Sequence, residues 1–572
     1  MMAYATQRTT AVVTTSSTAS AAFAASTEQF KRGATGPVAR QLTLAAALGL
    51  AIGLTTLAAP AWSLDRYVNP SNPAAKDMGY GTATAPWKTL AYAMIQIQPG
   101  DHLYIAPGTY RETMRLPNRT WSSASQTIIE GQGKVVIKAS DVVTNWTSLG
   151  NNRYVTPLPK ETAQVFINGK GLKQIGGNLF GTTASTYMWP ARLPGDQNSM
   201  PLDSFYYDAT TRNLYVRTSL SSLAGQTVEV STRQYSLFGE NLANMTVKNL
   251  SFTHGNASPT TRSGQVTLLG NKLTVQSLTV TWVDAVGLEL NGNDNKLTDS
   301  VANYNGQVGI KARGYRNQLL RNITNYNNQR GFNKWWEAGG AKFTGSGGLR
   351  DSLVAQHTAI GNLGDGVWFD WENLNNRFEN SVASDNTGFG LQYEASFGGK
   401  ITNNYIVNNG QRGIYLPHSS DTVVAYNLVA GNKLQGIVVI DEGVRDKTGA
   451  FDLTPVGNKV FGNLTAFNGG ALVLPGVLAT NKSDANIYAG TAPQNVMRLG
   501  WGGALIDLPR WVALTGQDKR SRYINTAPSG TTSAAYINWG KSFRTTAGKL
   551  TVAPDWLALV PGPARDGYAG PQ

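Results

Sequence analysis

Seven asparagines close seven look-alike segments, and their spacing is the strongest constraint on what this chain can fold into. Asn305, Asn327, Asn362, Asn386, Asn409, Asn432 and Asn468 end SVANYN, NITNYN, HTAIGN, SVASDN, YIVNN, LVAGN and LTAFN, in steps of 22, 35, 24, 23, 23 and 36 residues. A period in the low twenties, with short alternating strands between Gly and Asn turns, is the signature of a β-solenoid. In such a fold each coil buries its apolar edge only by stacking on the next. Asn tolerates left-handed turn conformations and can ladder with its copy one coil away, so these columns are expected to be structural rather than ligands.

The two long steps are one coil plus about a dozen residues, and both expansions fall between a closing Asn and the next Gly-led strand. One spans roughly 329–340 (QRGFNKWWEAGG) and the other roughly 441–457 (DEGVRDKTGAFDLTPVG). Insertions in a solenoid crowd one face, often the binding face. The Gly-led strands beside them are GLELN, GIKAR, GAKFT, GVWFD, GLQYE and GIYLP, from Gly287, Gly309, Gly340, Gly366, Gly390 and Gly413. Successive strand residues alternate in direction. The apolar residue after each Gly (Leu288, Ile310, Ala341, Val367, Leu391, Ile414) then points inward. Glu289, Lys311, Lys342, Trp368, Gln392 and Tyr415 face outward, as do Asn291, Arg313, Thr344, Asp370, Glu394 and Pro417.

That face carries candidate chemistry. Cleavage of a uronate polymer by β-elimination needs a base for the weakly acidic C5 proton and a partner that neutralises the adjacent carboxylate. Lys342, among other cations, is the expected base, with Arg313 beside it. Lys311, Trp335, Trp336, Trp368 and Tyr415 are expected to hold the sugar. Asp365, Asp370 and Glu394 are oxygen ligands that could hold Ca²⁺ and bridge to the substrate acid. An alternative uses Asp370 and Glu394 as the acid/base pair of a glycoside hydrolase. A uronate epimerase, or a glycan-binding surface without catalysis, remains open too, because fold alone does not choose.

The rest of the chain fits export and a sugar polyanion. Residues 1–41 are rich in Ala, Ser and Thr. Arg40 then precedes an uncharged run, 42–61, ending Ala59-Pro60-Ala61, which reads as an export signal cleaved after Ala61. A retained membrane anchor is the alternative. The protein is therefore expected to be secreted, periplasmic or at the cell surface, as a monomer. The formal charge is +14, and +11 without residues 1–61. With no Lys/Arg block and no nucleic-acid motif, an acidic polysaccharide is the expected partner of a basic surface. The absence of Cys excludes disulfides and thiolate metal sites.

Residues 65–120 hold a YV strand, GT, P-x-x-T-L, PGD (Pro99–Asp101) and PGTY in succession, with a helical apolar pattern at Trp87, Leu90, Ala91, Met94, Ile95 and Ile97. The set resembles the opening of extracellular right-handed parallel β-helix proteins, whose first helix caps the solenoid. The expected architecture is an all-β, right-handed parallel β-helix with that N-terminal capping helix. Residues 1–61 would be leader, 62–120 cap and first coils, 121–240 early coils with a β-rich insertion, 241–489 the helix core, and 490–572 a C-terminal cap. Trp189, Tyr206 and Tyr207 in the insertion are expected in its core. The solenoid resembles the pectate-lyase-like β-helices, nearest polysaccharide lyase family 9. Gly340-Ala341-Lys342 is similar to that family's Gly-Phe-Ala-x-Lys-like strand, and Asn362 through Asp370 to its Asn-x-Asp-Asp-Gly-x-Asp-like strand. Gly364 stands where the first of the paired Asp residues would be, and Tyr393-Glu394 lies near the place of the later catalytic Lys. The resemblance implies a Ca²⁺-assisted lyase, with a thinner ligand set and Lys342 as base.

Overall fold

The computed structural model describes residues 64–546 apart from 122–123, 177–193, 257–262, 346, 444–451, 477, 491–492 and 494–495. The expected leader and Trp189 lie outside the described residues. Each coil of the solenoid contributes one short strand to each of three faces. One face is a 13-stranded sheet running from Asp65–Val68 to Lys482–Asp484. A second 13-stranded sheet contains the Gly-led strands. The third face is a five-stranded and a seven-stranded sheet, joined by bridges from Ile323 to Val301 and Thr358. Strand pairs along these faces are parallel, as in Lys311 beside Lys342 and Val382 beside Tyr405.

The Gly-led strands that matter below are β1 (Val286–Asn291), β2 (Val308–Tyr315), β3 (Gly339–Phe343), β4 (Asp365–Asp370), β5 (Leu391–Glu394) and β6 (Ile414–Pro417). Their predicted inward residues are buried: Leu288, Ile310, Ala341, Val367, Leu391 and Ile414 all belong to one continuous core. Burial of this aliphatic stack is the main stabilising term of the fold, at roughly 25 cal/mol per Å² of apolar surface.

The asparagine column is a hydrogen-bond ladder. The Asn386 amide N–H donates to Asn409 Oδ1 at 3.2 Å, and its Nδ2 donates to the same oxygen at 2.9 Å and to the Ala359 carbonyl at 3.0 Å. Its own Oδ1 accepts from Asn362 N at 3.0 Å and Asn362 Nδ2 at 2.8 Å. The same pattern passes from Asn409 to Asn432 and on to Asn468. One detail differs from expectation. The left-handed residue of this turn is the one before each column Asn: Tyr304, Tyr326, Gly361, Asp385, Asn408, Gly431 and Phe467 all have positive φ. The column Asn is selected for its side-chain amide, which caps the backbone groups that the turn leaves unpaired.

At the N-terminal end, helix α1 (Leu90–Gln96) starts at Thr89, whose side chain accepts from Tyr92 N. Trp87, Leu90, Ala93, Met94 and Ile97 are buried on one face, whereas Ile95 is 59% exposed. Seven residues make two turns, so only the i, i+3, i+4, i+7 stripe reaches the core. Residues 140–231 include two small sheets of four and five strands with their own core around Phe205, Leu214, Val216 and Val230. Tyr207 is buried there, while Tyr206 is partly exposed. Glu229 staples this insertion to the solenoid through Arg111 at 2.7 Å and Lys138 at 2.8 Å. At the other end, α2 (Leu508–Thr515) buries Trp511, and α3 (Ser533–Thr546) lays Tyr536 and Trp539 against Phe467 on the third face. No described helix is long and apolar enough to cross a membrane.

Asn386→Ala removes four ladder hydrogen bonds, keeping the backbone N–H bond to Asn409, and withdraws partners from the buried Asn362 and Ala359 on the preceding coil. Each unsatisfied buried group costs about 1–3 kcal/mol, so we expect a loss of about 3 kcal/mol or more. A urea unfolding midpoint equal to wild type would refute the ladder's role.

Candidate active groove

The predicted strand register is observed. Glu289 pairs with Lys311, Lys311 with Lys342, Lys342 with Trp368, Trp368 with Gln392, and Gln392 with Tyr415. Two residues further along the strands, Asn291 pairs with Arg313 and Asp370 with Glu394. Because these side chains point away from the core, all were expected to face solvent, and most do not. Lys342 is 4% exposed, Trp368 5%, Glu394 8% and Tyr415 3%. The insertion after Asn327 turns back over β3–β5 and covers them, so the row forms the floor of a groove. Arg313 stays exposed.

Lys342 is the most heavily engaged group on this floor. Its ammonium lies 3.0 Å from Asp370 Oδ2, donates to the Trp336 carbonyl, and sits 3.3 Å from the centroid of the Trp368 ring. A base needs a free lone pair on this nitrogen. Here its hydrogens are used by a carboxylate, a carbonyl and a ring face, an arrangement that anchors Asp370 and the Trp336 loop. Lys311 is paired in the same way with Glu337 of the insertion, at 2.5 Å.

Glu394 Oε2 accepts from Trp368 Nε1 at 3.0 Å and from Gln392 Nε2 at 2.9 Å. Tyr415 donates its hydroxyl hydrogen to Glu442, at the start of the second insertion, which follows the strand Gln435–Ile440 rather than preceding a Gly-led strand as expected. Arg412 lies over the rings of Trp501 and Tyr415, 4.6 and 4.7 Å from their centroids. Burial lowers the Arg412 pKa, and Glu442 opposes that. Trp335 is 49% exposed and meets Phe389 edge-on at 5.8 Å.

These residues line two cavities in one groove. The larger, about 730 Å³, is bounded by charged groups including Lys311, Arg313, Glu337, Lys342 and Asp370. The smaller, about 310 Å³, is mainly aromatic, with Trp335, Trp368, Phe389 and Tyr415, and it also takes in Glu394, Arg412 and Glu442. Trp336 and Asp370 line both. The structure thus brings together Arg313, Lys311, Lys342, Trp335, Trp336, Trp368, Tyr415, Asp370 and Glu394. Arg412, Glu442 and Trp501 complete the site and were not foreseen. Glu442 lies in an expansion already visible in the sequence spacing, but nothing local marks Trp501, far along the chain from its neighbours.

Asp365 stands apart. It begins β4 rather than ending it, and it is 2% exposed. One carboxyl oxygen accepts from Phe389 N at 2.8 Å, and the other is buried without a hydrogen-bond partner among the described residues. The three carboxylates grouped as a Ca²⁺ set therefore do not converge: Asp370 faces Lys342, Glu394 faces two N–H donors, and Asp365 faces the Phe389 amide ahead of β5. Among the described residues no three His, Cys, Asp or Glu side chains are placed to hold a metal ion. The donors do not fit Ca²⁺, and no step below runs through one.

Burial pushes the Asp365 carboxyl up from 3.8 to about 8, against the Phe389 amide and Lys342, which pull it down. Between those values the folded protein holds a proton that the unfolded chain has lost, so stability falls as pH rises through that window. Asp365→Asn abolishes this dependence. Its stability relative to wild type is expected to grow from about pH 4 to about pH 8, by on the order of 5 kcal/mol at about 1.4 kcal/mol per pH unit. Denaturation curves for the two proteins that stay parallel across that range would contradict the assignment.

Comparison with known proteins agrees with the architecture. The family described as "right handed beta helix region" matches residues 264–443. No sequence among the curated proteins matches the chain. Among solved structures, the complex of XylC with xylose superposes with a TM-score of 0.57 at 14% identity, covering 77% of this chain and 86% of that one. A glycoside hydrolase gives 0.48 at 11% identity, covering 80% and 99%. Pectate lyase Pel9A gives 0.31 at 13% identity, covering 76% and 77%. The family match and the superposition on XylC show the fold, a right-handed parallel β-helix.

Proposed function

We propose that the groove hydrolyses a polysaccharide with retention of configuration, using Asp370 and Glu394. The observation that carries this is their register: they are direct partners on adjacent strands, facing one groove where its aromatic and charged halves meet. Adjacent strands lie about 4.8 Å apart. A strand spacing of that size favours the short carboxyl gap of retaining glycosidases, about 5–5.5 Å, over the longer one that admits a water in inverting enzymes.

The surroundings divide the roles. Asp370 is ion-paired with Lys342, which suits a nucleophile. Glu394 is held through one oxygen by two N–H donors, which fixes its orientation as the acid/base. Glu394 gives its proton to the glycosidic oxygen as that bond breaks, and Asp370 bonds to the anomeric carbon. Water then attacks that carbon and gives a proton back to Glu394, and Asp370 leaves. The rings of Trp335, Trp368 and Tyr415 offer apolar walls to a sugar in the smaller cavity. Export to the cell exterior, read from the leader, suits a polymeric substrate.

β-Elimination from a uronate chain is a second reading. The exposed cation Arg313 in the charged wall favours it, since it would neutralise the substrate carboxylate.

Asp370→Asn and Glu394→Gln should each lower turnover about 10³-fold, and products of the wild-type protein should show new reducing ends with the anomeric configuration retained by NMR. Products absorbing in the UV as unsaturated uronates would instead select elimination. Lys342→Met should lower kcat with little change in KM, because it releases Asp370 rather than a substrate contact. Full activity in this variant would remove Lys342 from either scheme.

A further inference from the structure

We infer that Arg313 is a specificity determinant that binds a sugar carboxylate, making the charged half of the groove a uronate subsite. This rests on the groove being the saccharide site, not on which bond is cleaved there.

Other charged side chains around the larger cavity are committed to neighbours. Lys311 is paired with Glu337 and Lys342 with Asp370. Glu289 accepts from Gly264 N at 3.1 Å and Asn291 Nδ2 at 2.7 Å. Glu372 lies 3.7 Å from Arg350. The Arg313 guanidinium has no hydrogen-bond or ion-pair partner among the described residues, although it lines the cavity and projects from the same strand as Lys311. The cavity therefore holds ion pairs, the Glu289 carboxylate bonded to two neutral N–H donors, and Arg313, a cation with no such partner among the described residues.

A guanidinium presents a planar fork of N–H donors that matches a carboxylate bidentately. Its place is fixed by the solenoid: Arg313 is the register partner of Asn291 on β1, and Asp370 lies two coils further on, facing the same cavity. A saccharide spanning the groove can thus put one ring among the aromatic residues and a carboxylate-bearing ring at Arg313. The paired state of Lys311 and Lys342 sets them apart: to bind a substrate acid, either would first have to give up its carboxylate partner.

The test is binding to the full-length Glu394→Gln protein, in which cleavage is suppressed while Lys342 stays paired with Asp370. Oligogalacturonate, oligomannuronate and glucuronate-bearing xylo-oligosaccharides, each beside its carboxyl-reduced counterpart, are titrated by calorimetry. We expect at least one acidic member to bind at least tenfold tighter than its reduced form. Arg313→Ala should erase that difference without weakening the reduced form, and Arg313→Lys should restore it only in part. Circular dichroism confirms folding of each variant, which the exposed position of Arg313 favours. No preference for any acidic member over its reduced form would overturn the inference, as would equal weakening of both forms by Arg313→Ala. Failure of Asp370→Asn and Glu394→Gln to reduce cleavage would instead overturn the hydrolytic scheme and leave the binding result standing.

Discussion

Stacked asparagine side chains hold this molecule in register, and the site depends on that register. A solenoid has no closed core, and each coil contacts only its neighbours. A slip by one residue would turn every outward strand residue inward. The amide of Asn386 engages both neighbouring coils while satisfying the turn backbone. Pairing of Asp370 with Glu394, and of Lys342 with Trp368, follows from the same alignment. Catalytic geometry is therefore inherited from turn chemistry on another corner of the coil.

The groove is built by interrupting that regularity. Uniform coils would present a flat, solvated sheet, on which an exposed Lys–Asp pair is worth little. The expansion after Asn327 folds back over three strands and places the Trp336 carbonyl and Glu337 above the sheet. That cover removes water from Lys342 and Asp370, and strengthens each electrostatic contact between them. The second expansion brings Glu442 to Tyr415. Length irregularities in the repeat thus became the walls of the site.

Much of this was legible in the chain. Periodicity gave the solenoid, the Gly-led alignment gave the strand partners, and the two long steps located the walls. What misled was the assumption that outward means solvated: Lys342 reads as a free amine and is instead an anchored ammonium. The resemblance to family 9 lyases suggested a calcium set, but Asp365 sits at the opposite end of β4 from Asp370, and its carboxyl is turned to the Phe389 amide. Arg412 and Trp501 could not be paired from sequence, because their contact depends on where a distant segment crosses the groove.

The amino-acid sequence by itself determined the coil, its register and the row of side chains on one face. These follow from local rules: alternation along a strand, and a turn residue that can bond to its own copy. Only the tertiary structure decided which of those side chains are covered, which are paired and which, like Arg313, are left with an unmet charge. Burial and ion pairing are set by segments that return from far along the chain, and no periodic pattern encodes where such a segment comes to rest.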